Sequence, residues 1–176
     1  IEQDAAAVRL FADSGLNFLV SSSFSKSFSL YGERVGALSI VTNSKEEAGR
    51  VLSQAKRVIR TNYSNPPTHG ATVVASVLNS VELRAMWEQE LGEMRERIRD
   101  MRMAMVEQLA AQGAKRDFSF VARQRGMFSY SGLTAEQVER LKNEFAIYAV
   151  GTGRICVAAL NRYNLDAVTR AIAQVI

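Results

Sequence analysis

Apolar and polar positions follow two different periods along the 176 residues, and each change of period marks an element. Asp4 to Ala12 reads as the tail of an amphipathic helix, with Val8, Leu10 and Phe11 apolar and Gly15 as the stop. Leu16 to Val20 is a short apolar run between Gly15 and the serines Ser21, Ser22 and Ser23, a buried-strand pattern. Val35 to Val41 repeats it after a loop long enough to suggest a function beyond connection. Ser44 ahead of Glu46 and Glu47 is a helix N-cap, and that helix is expected to reach about Asn62 before Pro66 and Pro67 exclude it. Gly70 to Leu78 reads as a packed helix of small residues. Ser80 caps a longer one, about 81–112, on which Trp87, Leu91, Met94, Ile98, Met101 and Met105 form a single apolar stripe. Beyond it the pattern predicts a strand over Phe118 to Ala122, a strand over Gly126 to Tyr130, a helix over Thr134 to Phe145, a strand over Arg154 to Ala158 and a last helix over Leu165 to Val175. The order is α/β. A helix of this length in a chain this short bridges two substructures, which sets a boundary near Gly92 and domains of 1–92 and 93–176.

Composition narrows the class. Hydrophobic residues make up 47% and charged residues 23%, a globular balance that excludes disordered and low-complexity chains. No apolar run is long enough for a membrane helix, and the opening IEQDAAAVRL carries acids where a secretory leader carries bases, so a cytoplasmic polypeptide without a membrane partner is expected. One cysteine, Cys156, and one histidine, His69, cannot form an internal disulfide or a His/Cys metal cluster, so no metal is expected. The formal charge of +4 invites a nucleic-acid partner, but the bases are spread along the chain rather than gathered in one run. The chain starts with Ile1 and opens inside a helix, which suggests a piece of a longer polypeptide.

The chemistry concentrates in Ser21 to Gly36, SSSFSKSFSLYGERVG. Hydroxyls and Lys26 directly after an apolar strand lie where α/β folds collect ligand groups. A lysine at the edge of a core is disfavoured as its ammonium by desolvation, which suits it to Schiff-base chemistry. Ser23, Ser25 and Arg34 are the donors a phosphate requires, Arg34 through a bidentate fork. The same residues also make a plain solvated serine-rich loop, just as Arg154 alone is an ordinary strand-end arginine and Phe128 a core aromatic.

Ser23-Phe24-Ser25-Lys26, then Ser29-Leu30, Gly32, Arg34, Val35 and Gly36 at fixed spacing, resembles the pyridoxal-phosphate attachment motif of class I aminotransferases, the aspartate aminotransferase-like proteins of fold type I. Arg60 to Gly70, Gly126 to Ser129 and Gly153 to Ala158 are similar to further segments of that family, so the resemblance spans the chain. Phe28 to Arg34 and Cys156 to Asn161 look most like the bacterial aromatic-amino-acid members. The resemblance implies a remnant of the large, mostly parallel sheet domain over 1–92 and a small α+β domain over 93–176. It implies transamination of aromatic, and secondarily dicarboxylic, L-amino acids with 2-oxoglutarate. Lys26 would form the Schiff base and move the α-carbon proton, while Ser23, Ser25 and Arg34 hold the cofactor phosphate. Arg154 would grip the substrate carboxylate beside Phe128. Arg60, with Ser64 and Asn65, would serve the neighbouring subunit's site in a homodimer. His69 and Cys156 receive no role.

The family also uses an aspartate on the cofactor's ring nitrogen, together with tyrosine, asparagine and stacking-aromatic contacts, all of them ahead of the lysine. Of the residues before Lys26, Asp4 and Asp13 sit in a helix and its exit, without the strand context that role needs. The chain therefore resembles the C-terminal portion of such an enzyme. The alternative for the chain in isolation is a non-catalytic folded fragment or oligomerisation module.

Overall fold

In the computed structural model, which describes residues 1–176, the chain divides into two units, Ile1–Glu88 and Gln89–Ile176. The first contains α1 (Ala6–Asp13), β1 (Phe18–Ser23), β2 (Gly36–Val41), α2 (Lys45–Tyr63) and α3 (His69–Asn79). Helix α4 (Val81–Ala111) begins in the first unit and ends in the second. The second unit continues with α5 (Ser119–Arg123), β3 (Phe128–Tyr130), α6 (Ala135–Phe145), β4 (Arg154–Cys156), a 3-10 turn (Val157–Ala159) and α7 (Leu165–Val175). No helix is long and apolar enough to cross a membrane.

Local chemistry sets the helix starts. The Ser44 hydroxyl accepts from the Glu47 amide at 3.1 Å, with Glu46 and Glu47 in the positive first turn of α2. Ser80 accepts from the Leu83 amide at 3.2 Å at the head of α4. Thr134 and Gln137 form a reciprocal capping box on α6. The caps at Ser44 and Ser80 follow from the sequence, as do the bounds of α6 and α7 to within a residue.

In the first unit β1 and β2 run antiparallel, Phe18 opposite Val41 and Ser23 opposite Gly36. This is the orientation of the exceptional strand pair that a mostly parallel sheet admits. The apolar runs are less covered than their pattern predicts. Leu19 is 68% exposed and Leu38 59%, because no element of this unit packs on that face of the ribbon. The stripe on α4 is graded in the same way: Met105 is fully buried, Ile98 and Met101 pack on the core, and Met94 is exposed.

The continuous core lies in the second unit. Met105 and Leu109 from α4, Val121 from α5, Val138 and Leu141 from α6, Val157, and Ala171, Ile172 and Val175 from α7 close over one another. Two expected strands are corrected here. Residues 118–122 are mostly helical: the Asp117 carboxylate accepts from both the Ser119 amide at 2.8 Å and its hydroxyl at 2.7 Å, which starts a helical turn and buries Phe118 and Val121 together at i and i+3. The strand from Arg154 stops at Cys156, and Val157–Ala159 turns to carry Val157 into the core.

Removing the Leu109 side chain beyond Cβ opens a cavity in this core. In the 176-residue chain Leu109→Ala should lower unfolding free energy by about 2 to 5 kcal/mol, measured by urea denaturation, whereas Leu19→Ala at the exposed ribbon should stay within about 0.5 kcal/mol.

Candidate functional site

The loop between β1 and β2 carries the first cluster. It is closed where the Phe24 amide donates to the Val35 carbonyl at 3.2 Å. Gly36 is required at its exit, since a Cβ there would stand 2.5 Å from the Ser22 carbonyl oxygen. Inside the loop the Ser25 amide donates to the Ser23 hydroxyl at 3.2 Å, and Arg34 Nη1 donates to the Ser25 hydroxyl at 3.5 Å and to the Tyr31 carbonyl at 3.1 Å. Ser25 is buried. Arg34 is held at φ 51° and Ser29 at φ 55°, in the left-handed region that non-glycine residues adopt at a cost of order 1 kcal/mol or more. Lys26 Nζ stands 3.8 Å from the centre of the Tyr31 ring, with the Arg34 guanidinium carbon 5.8 Å from the same ring.

The structure therefore brings Ser23, Ser25, Lys26 and Arg34 into one loop. Neither cation takes part in a salt bridge. Two cations and two hydroxyls with no carboxylate to neutralise them form a donor set suited to an anion. One expectation is corrected: Lys26 does not lie at the edge of a core but is exposed in this chain, and the strand ahead of it is itself open to solvent.

A further residue fixes this loop and escaped the sequence reading. Trp87 Nε1 donates to the Ser27 carbonyl at 2.6 Å, and its ring stacks on Phe28 at 4.6 Å, while Phe28 meets Phe24 edge-on at 5.5 Å. Trp87 thus holds the residue next to Lys26 to the head of α4. Its place in the apolar stripe concealed this polar contact, since only the partner some sixty positions earlier reveals it.

Arg60 near the end of α2 donates to the Ser64 hydroxyl at 2.8 Å, and Ser64 turns the chain at φ 68° with Asn65 next to it. All three are exposed. No hydrogen bond ties this group to the lysine loop.

The second unit carries the other cluster. Tyr130 is paired with Arg154 and Phe128 with Cys156 across the antiparallel β3–β4 ribbon, so these four side chains share one face and Ser129 and Ile155 the opposite one. The Arg154 guanidinium carbon lies 4.8 Å from the centre of the Phe128 ring, and Arg154 has no acidic partner. The entry to β4 is fixed by Gly153, whose carbonyl accepts from the Ser131 amide at 2.9 Å and the Ser131 hydroxyl at 2.6 Å. Gly153 sits at φ +79° with Leu133 so close that a Cβ would stand 2.6 Å from its carbonyl oxygen. An unpaired guanidinium on an aromatic face, aimed by a rigid turn, suits a carboxylate.

Residues 1–172 match the family described as aminotransferase class I and II. The chain belongs to this family. It is 83% identical over its full length to an aspartate aminotransferase of Pseudomonas aeruginosa and 53% identical over 175 residues to the aromatic-amino-acid aminotransferase of Escherichia coli K12. It spans 44% of the length of each of these relatives. Among solved structures, an aromatic-amino-acid aminotransferase from Burkholderia pseudomallei, covalently bound to pyridoxal phosphate, superposes with a TM-score of 0.96 at 74% identity, covering 99% of this chain and 44% of that one. The aminotransferase resemblance drawn from the lysine motif is thus correct, and relatives with aspartate names and with aromatic names both match.

Gly153→Ala tests the rigid turn ahead of Arg154. It should destabilise the second unit by about 1 to 3 kcal/mol, from left-handed backbone strain and the clash with Leu133, read as a shift in the urea midpoint.

Proposed function

We propose that the polypeptide carrying this chain is an aminotransferase that uses pyridoxal phosphate and acts on aromatic L-amino acids, with dicarboxylic amino acids as a second class and 2-oxoglutarate as amino acceptor. The observation that carries this reading is the loop in which Lys26, Ser23, Ser25 and Arg34 converge with no carboxylate among them. Relatives named for aspartate and for aromatic amino acids support both substrate classes. On this reading the first unit is the remainder of a cofactor domain and the second is the small domain.

The residues fit the cofactor by chemistry. Ser23 and Ser25 offer hydroxyls, and Arg34 offers a fork able to satisfy two phosphate oxygens. Lys26, on a flexible stem beside these donors, is the amine that would hold the cofactor's aldehyde carbon. When bound, the cofactor supplies an electron sink for charge developing at the substrate α-carbon. As a free amine, Lys26 would be the base that takes the proton from the substrate α-carbon and delivers it to the cofactor's aldehyde carbon.

Arg154 binds the substrate α-carboxylate through paired N–H donors and so fixes the orientation of the α-carbon bonds. Phe128, stacked against Arg154, keeps its guanidinium from swinging and borders the pocket with an apolar face. Arg60 reaches into a neighbouring subunit's site to meet a second carboxylate, with Ser64 and Asn65 lining the approach. For a substrate carrying an apolar ring, Arg60 turns aside, and its bond to the Ser64 hydroxyl is the resting place for that turn.

A second reading applies to the isolated 176 residues. The first unit leaves Leu19, Leu38 and Leu16 open to solvent, and the acid expected on the cofactor's ring nitrogen has no counterpart among residues 1–25. On that reading the chain by itself is a folded, non-catalytic module. Glutamate formation from phenylalanine and 2-oxoglutarate should be absent with the isolated chain and present with the full-length polypeptide. Turnover by the isolated chain at a full enzyme's rate would contradict the module reading.

Borohydride reduction of the full-length polypeptide with pyridoxal phosphate, followed by peptide mapping, should put the label on Lys26, and a label elsewhere would overturn the assignment. Arg154→Lys keeps the charge but loses the fork, and should lower kcat/KM for phenylalanine by about 10²-fold, since misplacing a bound substrate by about 1 Å costs that much.

A further inference from the structure

Behind the β3–β4 ribbon lies a guanidinium that the proposed function does not use. Arg102 on α4 is only 3% exposed, yet no carboxylate accompanies it. Burying a charge without a counter-ion is costly unless every donor finds a partner. Arg102 finds neutral ones. Its guanidinium donates to the Ser129 hydroxyl, to the Gly126 carbonyl at 2.5 Å, to the Val121 carbonyl at 3.3 Å and to the Phe128 carbonyl at 3.5 Å. Burial, together with the nearby charge of Arg125, pushes the guanidinium below its ordinary pKa, though a guanidinium remains protonated in proteins.

These acceptors have one thing in common. Three of the four belong to β3 or to the turn that enters it, and the fourth belongs to α5 just ahead of that turn. Ser129 is the inward residue of β3, flanked by Phe128 and Tyr130 on the outward face that carries Arg154. A fork holding Ser129 from behind and the carbonyls on either side of Met127 fixes both the height and the twist of the strand that Arg154 stands against. A three-residue strand with a single partner has little rigidity of its own.

We propose that Arg102 is a positioning residue for substrate carboxylate recognition: by clamping Gly126, Phe128 and Ser129 from the buried side, it holds the Phe128 platform in the place that aims Arg154. This rests on the reading of Arg154 as the carboxylate grip. Arg102 touches no substrate and acts through β3.

The test uses the full-length holoenzyme and 3-phenylpropionate, a ligand with one carboxylate and an aromatic ring, its binding followed by calorimetry. Arg102→Lys retains the charge but cannot span four acceptors, and Ser129→Ala removes one acceptor while leaving the cation its carbonyls. Arg102→Lys should weaken binding about tenfold and Ser129→Ala by a smaller factor, both raising KM for phenylalanine more than they lower kcat, because a displaced grip loses ground-state binding. Should Arg102→Lys fail to fold by circular dichroism, Ser129→Ala alone decides. Lower thermal stability with unchanged affinity for 3-phenylpropionate would make Arg102 structural only and overturn the proposal. Arg154→Lys in the same series separates the two readings: if it too binds at full strength, the carboxylate role of Arg154 fails; if it alone weakens binding, only the role of Arg102 fails.

Discussion

Guanidinium groups that donate to main-chain carbonyls organise the second unit, and the candidate substrate site depends on them. Arg102 holds β3 from behind, Arg116 donates to the Ser131 and Gly132 carbonyls at 2.8 Å each, and Arg97 donates to those of Leu160 at 2.9 Å and Ala158 at 2.6 Å. Arg116 and Arg97 clamp irregular segments, and Arg102 clamps a three-residue strand with a single partner. The basic residues include carbonyl clamps, ordinary helix-surface pairs such as Arg84 with Glu88 and Arg140 with Glu144, and cations outside any salt bridge, among them Lys26, Arg34 and Arg154.

Those unpaired cations are held by neighbours rather than by counter-ions. Tyr31 faces Lys26, the Ser25 hydroxyl and Tyr31 carbonyl fix Arg34, and Phe128 lies against Arg154. An aromatic face or a hydroxyl orients a cation without cancelling its charge, which leaves it free to meet an anion. The backbone contributes as well. Arg34 and Ser64 sit at positive φ, where strain fixes side-chain direction, and Gly153 turns the chain directly ahead of Arg154 at a φ that glycine adopts freely.

The helices were largely legible from the sequence, because caps are local. Ser44, Ser80 and Thr134 each find their partner amides within three residues. The lysine motif was legible for the same reason, its spacing being short and fixed. What escaped was long-range or depended on a missing surface. Phe118 to Ala122 alternates like a strand, and only the double acceptance by Asp117 shows why it turns. Trp87 and Arg102 lie on α4 as one apolar and one polar residue among many, and their partners lie sixty positions earlier and about twenty to thirty later. The exposure of Leu19 and Lys26 could not be read from their neighbours, since burial is set by whatever packs on the ribbon.

On the proposed function, the loop after β1 receives a phosphate while Arg154 receives a carboxylate. A crystal structure of the full-length polypeptide soaked with pyridoxal phosphate and 3-phenylpropionate tests both at once. The account predicts phosphate density within hydrogen-bond reach of Ser23, Ser25 and Arg34, and a carboxylate paired with the Arg154 guanidinium. Phosphate bound away from this loop, or a carboxylate that leaves Arg154 unoccupied, would contradict it.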